Sequence, residues 1–355
     1  LSHQQLTTFP EDPVLDLEPW VGQRQCGFRF ELSDGVTGER LGNITPLRSA
    51  TLSHDTNRTI KRQLTLDLGV VDTASVNTQT ARVEVFMTFP GGAEYPLGKY
   101  MFTDASRQQF TSGHLGNMTL SDEMFQIDQQ IEAGVDGTGR SVMEIVQTIL
   151  LDLPVNLIME SSPFNSTENW GIGAYRGQIL ESVAVSGDYF SPWFGNDGKL
   201  HFIRTFNPIT RLPDFDWDTG FKVIRSNIIE TDDLLTAPNR FIVVSNSSED
   251  PDVEVVGTAD VPSTAPHSIA NRGFAIPEVQ NLQLSNVTQA QAVAEGIAQR
   301  ATVFEQVGLT TALDPRHDSY NTIRWDGGLW LELAWTMQLT EDGVMSHLLR
   351  KAYAP

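Results

Sequence analysis

The chain has 355 residues, enough for two or three domains with separate cores. It is 40% hydrophobic and 19% charged, but 45 acidic residues against 24 Lys+Arg give a formal net charge of -21. Such a surface repels phosphate backbones and anionic lipid, which argues against nucleic-acid binding by charge neutralisation and leaves open a surface that DNA slides past.

Cys26 is the one cysteine, so no intrachain disulfide framework exists. No run approaches the eighteen or so apolar residues of a membrane helix, and no membrane span is expected. Leu1-Ser2-His3 opens no basic-then-apolar leader, so no signal peptide is expected. Asn-x-Ser/Thr sequons at Asn43, Asn57, Asn117, Asn165, Asn246 and Asn286 are read as by-products of an Asn/Thr-rich β protein.

Residues 1–22 hold Pro10, Pro13 and Pro19 among acidic residues without a period. They are expected to form an extended arm, loose or laid on a neighbouring subunit. Over 23–135, strand follows strand: 28–32, 50–53, 58–67, 81–89, 95–106 and 116–121, with turns at Ser33-Asp34-Gly35 and Pro90-Gly91-Gly92. The period of two predicts an antiparallel sandwich or barrel.

Asp136-Gly137-Thr138-Gly139 reads as a linker into a different texture over 136–235. There Ser141 and Glu144 form a capping box before an apolar face of Val142, Ile145, Val146, Ile149 and Leu150. A second helix is predicted over 176–185. A hairpin is predicted over 189–206 around Asn196-Asp197-Gly198.

The β texture returns over 236–355. A β-branched strand covers 240–245, and the acidic, Pro-containing stretch 247–266 reads as turns. Thr288 with Gln291 predicts a capped helix over 288–304, with Ala290, Val293, Ala294, Ile297, Ala301 and Phe304 on one face. Strands follow at 307–313, 321–325, 329–339 and 344–353, turned at Asp326-Gly327-Gly328 and Glu341-Asp342-Gly343. The helix is expected to lie on these strands. The two β regions share an order of features: a strand, a Gly-Gly turn (Gly91-Gly92, Gly327-Gly328), an aromatic return strand, and a closing strand with Leu120 or Leu348. That order suggests an internal duplication.

Motifs for chemistry are scarce. Asp214-x-Asp216-x-Asp218 resembles the start of a calcium loop, but Thr219 replaces the turn glycine and Arg225 the bidentate glutamate. It reads as an acidic turn with Phe215 and Trp217 packing inward. The seven histidines show no H-x-x-x-H or H-E-x-x-H pairing, and no G-x-S-x-G elbow occurs. Two carboxylates would suffice for glycosidase chemistry, and 45 acids neither support nor oppose it. Trp330 and Trp335, five apart on one strand, are expected on opposite faces, in a core or interface. No catalytic residue, cofactor site or metal site is predicted.

Three stretches carry a resemblance: Leu234-Leu235-Thr236-Ala237-Pro238-Asn239-Arg240-Phe241-Ile242-Val243-Val244, Thr288-Gln289-Ala290-Gln291-Ala292-Val293-Ala294, and Leu313-Asp314-Pro315-Arg316-His317 with its following strands. Together with the domain order they resemble the baseplate-hub or tail-associated minor tail proteins of long-tailed phages, over about 26–355. The resemblance implies a fold that is mainly β with a small α+β insertion. Two tube-like antiparallel β-sandwich or barrel domains (23–135; 236–355 with a flanking helix) would surround an α+β domain (136–235).

It further implies a structural virion protein of the tail tip, made in the host cytoplasm, that is not an enzyme and uses no cofactor. A homotrimer would form a pseudo-sixfold ring lining the channel for genome ejection. Its partners would be the distal tail protein ring, the tail tube, the tape-measure protein and tail-tip or fibre proteins. The lysozyme, peptidase and fibre-binding extensions of some relatives are expected to be absent. The alternatives are a carbohydrate- or receptor-binding tail module reading through 139–233, and a cell-wall hydrolase.

Overall fold

The computed structural model describes residues 26–45, 49–71, 78–110, 113–218, 223–230, 236–245, 255–301 and 305–352. The expected arm at 1–22, Phe304 and Tyr353 lie outside them. The chain begins with β1 (Gly27–Asp34), β2 (Arg40–Ile44), β3 (Ser49–Asp55), β4 (Arg62–Val71), β5 (Ala81–Thr88), β6 (Glu94–Phe110) and β7 (Gly113–Ser121). A helical part follows, with α1 (Met124–Ile127), β8 (Val135–Asp136), α2 (Val142–Leu150), β9 (Leu157–Met159), β10 (Asn169–Trp170), α3 (Arg176–Ser186), β11 (Trp193–Phe194) and β12 (Leu200–Phe202). Then come β13 (Phe215–Asp216), β14 (Val223–Glu230), β15 (Arg240–Ser245), β16 (Val255–Asp260), α4 (Ile269–Arg272), β17 (Pro277–Asn281), α5 (Val287–Arg300), β18 (Glu305–Ala312), β19 (Thr322–Trp325), β20 (Gly328–Gln338) and β21 (Val344–Lys351).

The fold is mainly β with a small helical part. Its frame is a 13-stranded sheet in the order β14-β18-β21-β20-β3-β4-β7-β6-β5-β1-β2, with β19 beside β20 and β13 beside β19. All its pairs are antiparallel except β13 with β19. Both β regions therefore share one sheet, joined where β3 pairs with β20. β14 lies inside the span read as the insertion, yet it pairs with β18 in this sheet. The strands form where apolar residues alternate: Val83, Val85 and Met87 of β5 are buried while Glu84, Phe86 and Thr88 are less so. Asp326 and Gly327 both have positive φ, as a two-residue hairpin turn between β19 and β20 requires.

Within the sheet one five-stranded pattern occurs twice. Strands β5-β6-β7-β4-β3 and β19-β20-β21-β18-β14 follow the same spatial order, the same chain order and the same antiparallel sense. Their registers agree along a central row, while irregularities in β5–β6, β4–β7 and β14–β18 are each confined to one unit. A transverse row runs Arg82–Met101–Ser121–Gln63–Ser53 in the first unit and Thr322–Leu331–Arg350–Gln306–Ile229 in the second. One irregularity is also shared: Thr103 of β6 and Leu333 of β20 are each skipped by the neighbouring strand. Aligning the two bulges matches Leu120 to Leu349, one residue beyond the expected Leu348.

The bulge overturns one expectation. Trp330 faces Lys351 and Trp335 faces His347 on β21, and those partners are four apart. The extra residue at Leu333 thus puts Trp330 and Trp335 on one face rather than two.

One helix sits elsewhere than expected. α5 packs against β15 and β16 of a separate three-stranded sheet, order β16-β15-β17, and not on the C-terminal strands. Its face of Ala290, Val293 and Ala294 meets Val243 and Val255. The stretch read as turns over 247–266 contains β16, whose Gly257 lies so close to α5 that a Cβ there would come within 2.2 Å of the Ala290 carbonyl. Close helix packing selected small residues, and these removed the usual β signature. The cap of α5 is Asn286, whose side chain accepts from the Gln289 amide, two residues before Thr288. α2 begins at the capping box of Ser141 and Glu144, and packs with α3 over Ile145, Val146, Leu180 and Val183. Gly137 and Gly139, read as linker, are pinned by hydrogen bonds from their amides to the Glu168 and Ser166 carbonyls.

Candidate functional site

The joint between the two sheet units is the most elaborate polar construction among the described residues. Leu52 lies opposite Met337 and His54 opposite Trp335 across it, and all four are buried. The His54 and Trp335 rings stack at 5.4 Å. Beside them, Arg62 is buried at the start of β4, its guanidinium 5.4 Å from the Trp335 ring. It donates to Asn196 Oδ1 at 2.6 Å and to the Asp318 carboxylate. Asp318 also accepts from Trp193 Nε1 at 3.0 Å, and its carbonyl accepts from Trp335 Nε1 at 2.7 Å. One buried cation thus holds the first unit (Arg62), the helical part (Trp193, Asn196) and the second unit (Asp318, Trp335) together.

Lys61, next in the chain, is buried as well and donates to the Arg58 carbonyl at 2.9 Å and to Ser191 Oγ. Burial lowers its pKa against the pull of Glu181. The fully buried Asp122 accepts from the amides of Arg62 and Met124 at 2.9 and 3.0 Å. Burial nevertheless pushes it up to about 6.

A second cluster, His317, Glu332 and His347, brings ligand-type atoms within 4.8 Å of one another. Nδ1 of His317 and of His347 are hydrogen-bonded to the two Glu332 oxygens at 2.8 and 2.6 Å, and His347 Nε2 to Thr311 Oγ1 at 2.8 Å. Phe215 stacks on His317 at 3.9 Å and Trp217 meets His347 edge-on. Burial would raise Glu332, but the two imidazoles hold it below its ordinary value. The three donors are engaged with each other and with Thr311. Such an arrangement ties β20 and β21 to the loop before β19, the work of a structural network. Sequence spacing gave no sign of it, because its members are 15 residues apart on a loop and two strands.

The acidic triplet lies as read, with Phe215 and Trp217 buried. Its carboxylates serve β19 and the turn that follows it: Asp214 accepts from the Thr322 amide at 2.7 Å and Asp218 from the Gly327 amide at 3.2 Å. The stretches behind the resemblance also have definite jobs. Asn239, fully buried, donates to the His267 and Phe274 carbonyls and accepts from the Ile276 amide at 2.7 Å. Gln289 donates to the Ser186 carbonyl at 2.7 Å, tying α5 to the end of α3. Gln291 accepts from the Thr258 amide and donates to its carbonyl at 3.1 and 3.0 Å, occupying the edge of β16.

The chain matches no family profile, and no curated protein matches it by sequence. Solved structures do match. The tail protein from Neisseria meningitidis MC58 is similar with a TM-score of 0.61 at 12% identity, covering 92% of this chain and 96% of that one. The 43 kDa tail protein of prophage MuSo2 from Shewanella oneidensis follows at 0.58 and 9% identity, covering 91% and 98%. Prophage tail protein gp18 from Listeria monocytogenes EGD-e matches at 0.57 and 8% identity, covering 90% and 94%. Identity this low speaks for fold alone, and the chain has the fold of these phage-type tail proteins, as its sequence resemblance led one to expect.

Proposed function

We propose that this chain is a structural hub protein of a phage tail tip, a virion component without enzymatic activity. Three copies form a ring that adapts the tail tube and lines a channel for DNA and the tape-measure protein. Its neighbours in the tail are the distal tail protein ring, the tube and the fibre proteins. The observation that carries the reading is the five-stranded unit present twice in one chain with the same strand order and a shared bulge. Two like units per chain turn three chains into six like docking surfaces, which reconciles a threefold tip with a sixfold tube. The tail-protein fold over nine-tenths of the chain supports the same reading. The net charge of -21 suits a channel wall that repels phosphate.

In this reading the chain divides into an arm (1–22), a first tube domain (23–135), an insertion (136–235) and a second tube domain (236–355), with β14 lent across the last boundary. Mass measurement in solution together with electron micrographs of tails tests it. Trimers and a threefold tip are expected. A monomer inside assembled tails would refute the ring.

A further inference from the structure

The His317–Glu332–His347 cluster occupies a place that the fold can fill without polar groups. With the two bulges aligned, Glu332 corresponds to Phe102 and His347 to Met118. Met118 lies in the apolar core of the first unit and Phe102 packs against it. An acid and an imidazole in such a place are costly unless their charge is balanced. The Glu332 side chain is only 1% exposed, and its ion-pair partners among the described residues are the two imidazoles, with no Lys or Arg.

The hydrogen bonds leave that balance incomplete. The Thr311 hydroxyl has one proton, and the Ala312 carbonyl takes it at 2.9 Å. Thr311 Oγ1 therefore accepts from His347 Nε2 at 2.8 Å. A neutral His347 then has no proton on Nδ1, and the Nδ1 lone pair points at Glu332 Oε1 2.6 Å away. Two lone pairs at that distance repel unless a positive centre lies between them. Burial disfavours a second proton on the ring, which leaves a metal ion as the centre the site calls for.

We propose that this cluster is a structural metal site, in which Nδ1 of His317, Nδ1 of His347 and both Glu332 oxygens are the four donors to one zinc-class divalent ion. Two imidazoles and a carboxylate suit zinc, whereas calcium and magnesium take oxygen ligands. The donors already lie within 4.8 Å of one another. A tetrahedral zinc spaces its donors about 3.3 Å apart, so the contacts of Glu332 with the rings open by roughly 0.5–0.7 Å to admit it. Thr311 orients His347 from behind, and Phe215 and Trp217 cover the rings. All three side chains are buried, which leaves no opening for a substrate. The ion's work is to tie β20 and β21 to the loop before β19.

The test uses the full, untagged chain, produced in zinc-supplemented medium and washed with EDTA. It is expected to retain one zinc per chain by elemental analysis. X-ray absorption at the zinc edge should show two imidazoles and carboxylate oxygen at about 2.0–2.2 Å. A chain that retains no zinc overturns the proposal. So does a zinc with fewer than two imidazoles, the mark of surface binding at a place such as His201 and Asp197. In competition with a chromophoric chelator, Thr311→Val should weaken zinc binding about 10–100-fold and Glu332→Gln more. His201→Gln should leave it unchanged. Unaltered affinity in a folded Glu332→Gln chain overturns the site, and if that variant does not fold, the absorption spectrum of the unsubstituted chain decides by itself. None of these outcomes depends on the number of copies in the ring.

Discussion

Replacing Arg62 by Met tests whether one buried cation fastens the two sheet units and the helical part. The substitution keeps most of the apolar stem beside Trp335 and removes the guanidinium that donates to Asn196 and Asp318. Removing one member of a buried ion pair costs about 3–5 kcal/mol, largely from stranding its partner. Asp318 is not wholly stranded: its side chain is 29% exposed and still accepts from Trp193 Nε1 and from the Ser319 and Asn196 amides. That places its share at the low end, while Asn196 Oδ1 adds about 1 kcal/mol for its lost donor. The expected total is about 4 kcal/mol.

The reverse change, Asp318→Asn, leaves the charge of a side chain only 1% exposed without its counter-ion and should cost at least as much. The double variant should fall short of the sum by about 1.5 kcal/mol or more, the mark of direct coupling. Urea unfolding followed by tryptophan fluorescence reads all four proteins, since Trp193 and Trp335 flank the joint. A cost below about 0.5 kcal/mol for Arg62→Met, or additive single changes, would refute the argument.

Gly257→Ala should cost about 2–3 kcal/mol, because its Cβ meets the α5 backbone, while Gly171→Ala, with nothing within 4 Å, should be near neutral; equal effects in chemical unfolding would contradict the packing described. Asn239→Ala strands two carbonyls and one amide in the interior, and a loss of about 3 kcal/mol in the same assay is expected; a neutral result would deny the anchor. Acid should weaken the fold below about pH 6.5. Burial, then Arg62 and Lys61, hold His54 well below 6.5, burial lowers His347, and burial and Arg272 bring His267 to about 4.

Depressed histidines contribute stability that is complete above their unfolded value and lost as pH falls toward the folded one. Asp122, raised to about 6, works the other way, its cost present above that value and relieved as it takes up a proton. Each group changes the slope by at most about 1.4 kcal/mol per pH unit. Unfolding titrations between pH 7.5 and 4.5 should show net loss, and His54→Gln should flatten it; an unchanged slope would rule His54 out.

Much of the architecture was legible because local rules decide it. Alternation located β5 and β15, the Ser141 box located α2, and Asp326-Gly327 located the last hairpin but one. What was missed has physical reasons. β16 carries Gly257 and Ala259 because a helix lies on it, so it lacks the bulky residues that announce strands. β14 is interrupted at Ile224 by an irregularity that breaks its period. The buried Arg62 network and the His317–Glu332–His347 cluster draw on residues far apart in sequence, each unremarkable alone.

By itself the amino-acid order determined where many of the longer strands and the helices α2, α3 and α5 lie, how α2 is capped and β19–β20 turned, and that the net charge repels polyanions, since propensity, period and charge act over a few residues. Only the tertiary structure decided that the two β regions share one sheet, that α5 belongs to another sheet, and that Trp330 and Trp335 share a face. Those outcomes depend on long-range strand pairing and on one bulged residue, and a chain's local pattern is the same whichever distant strand completes its ladder.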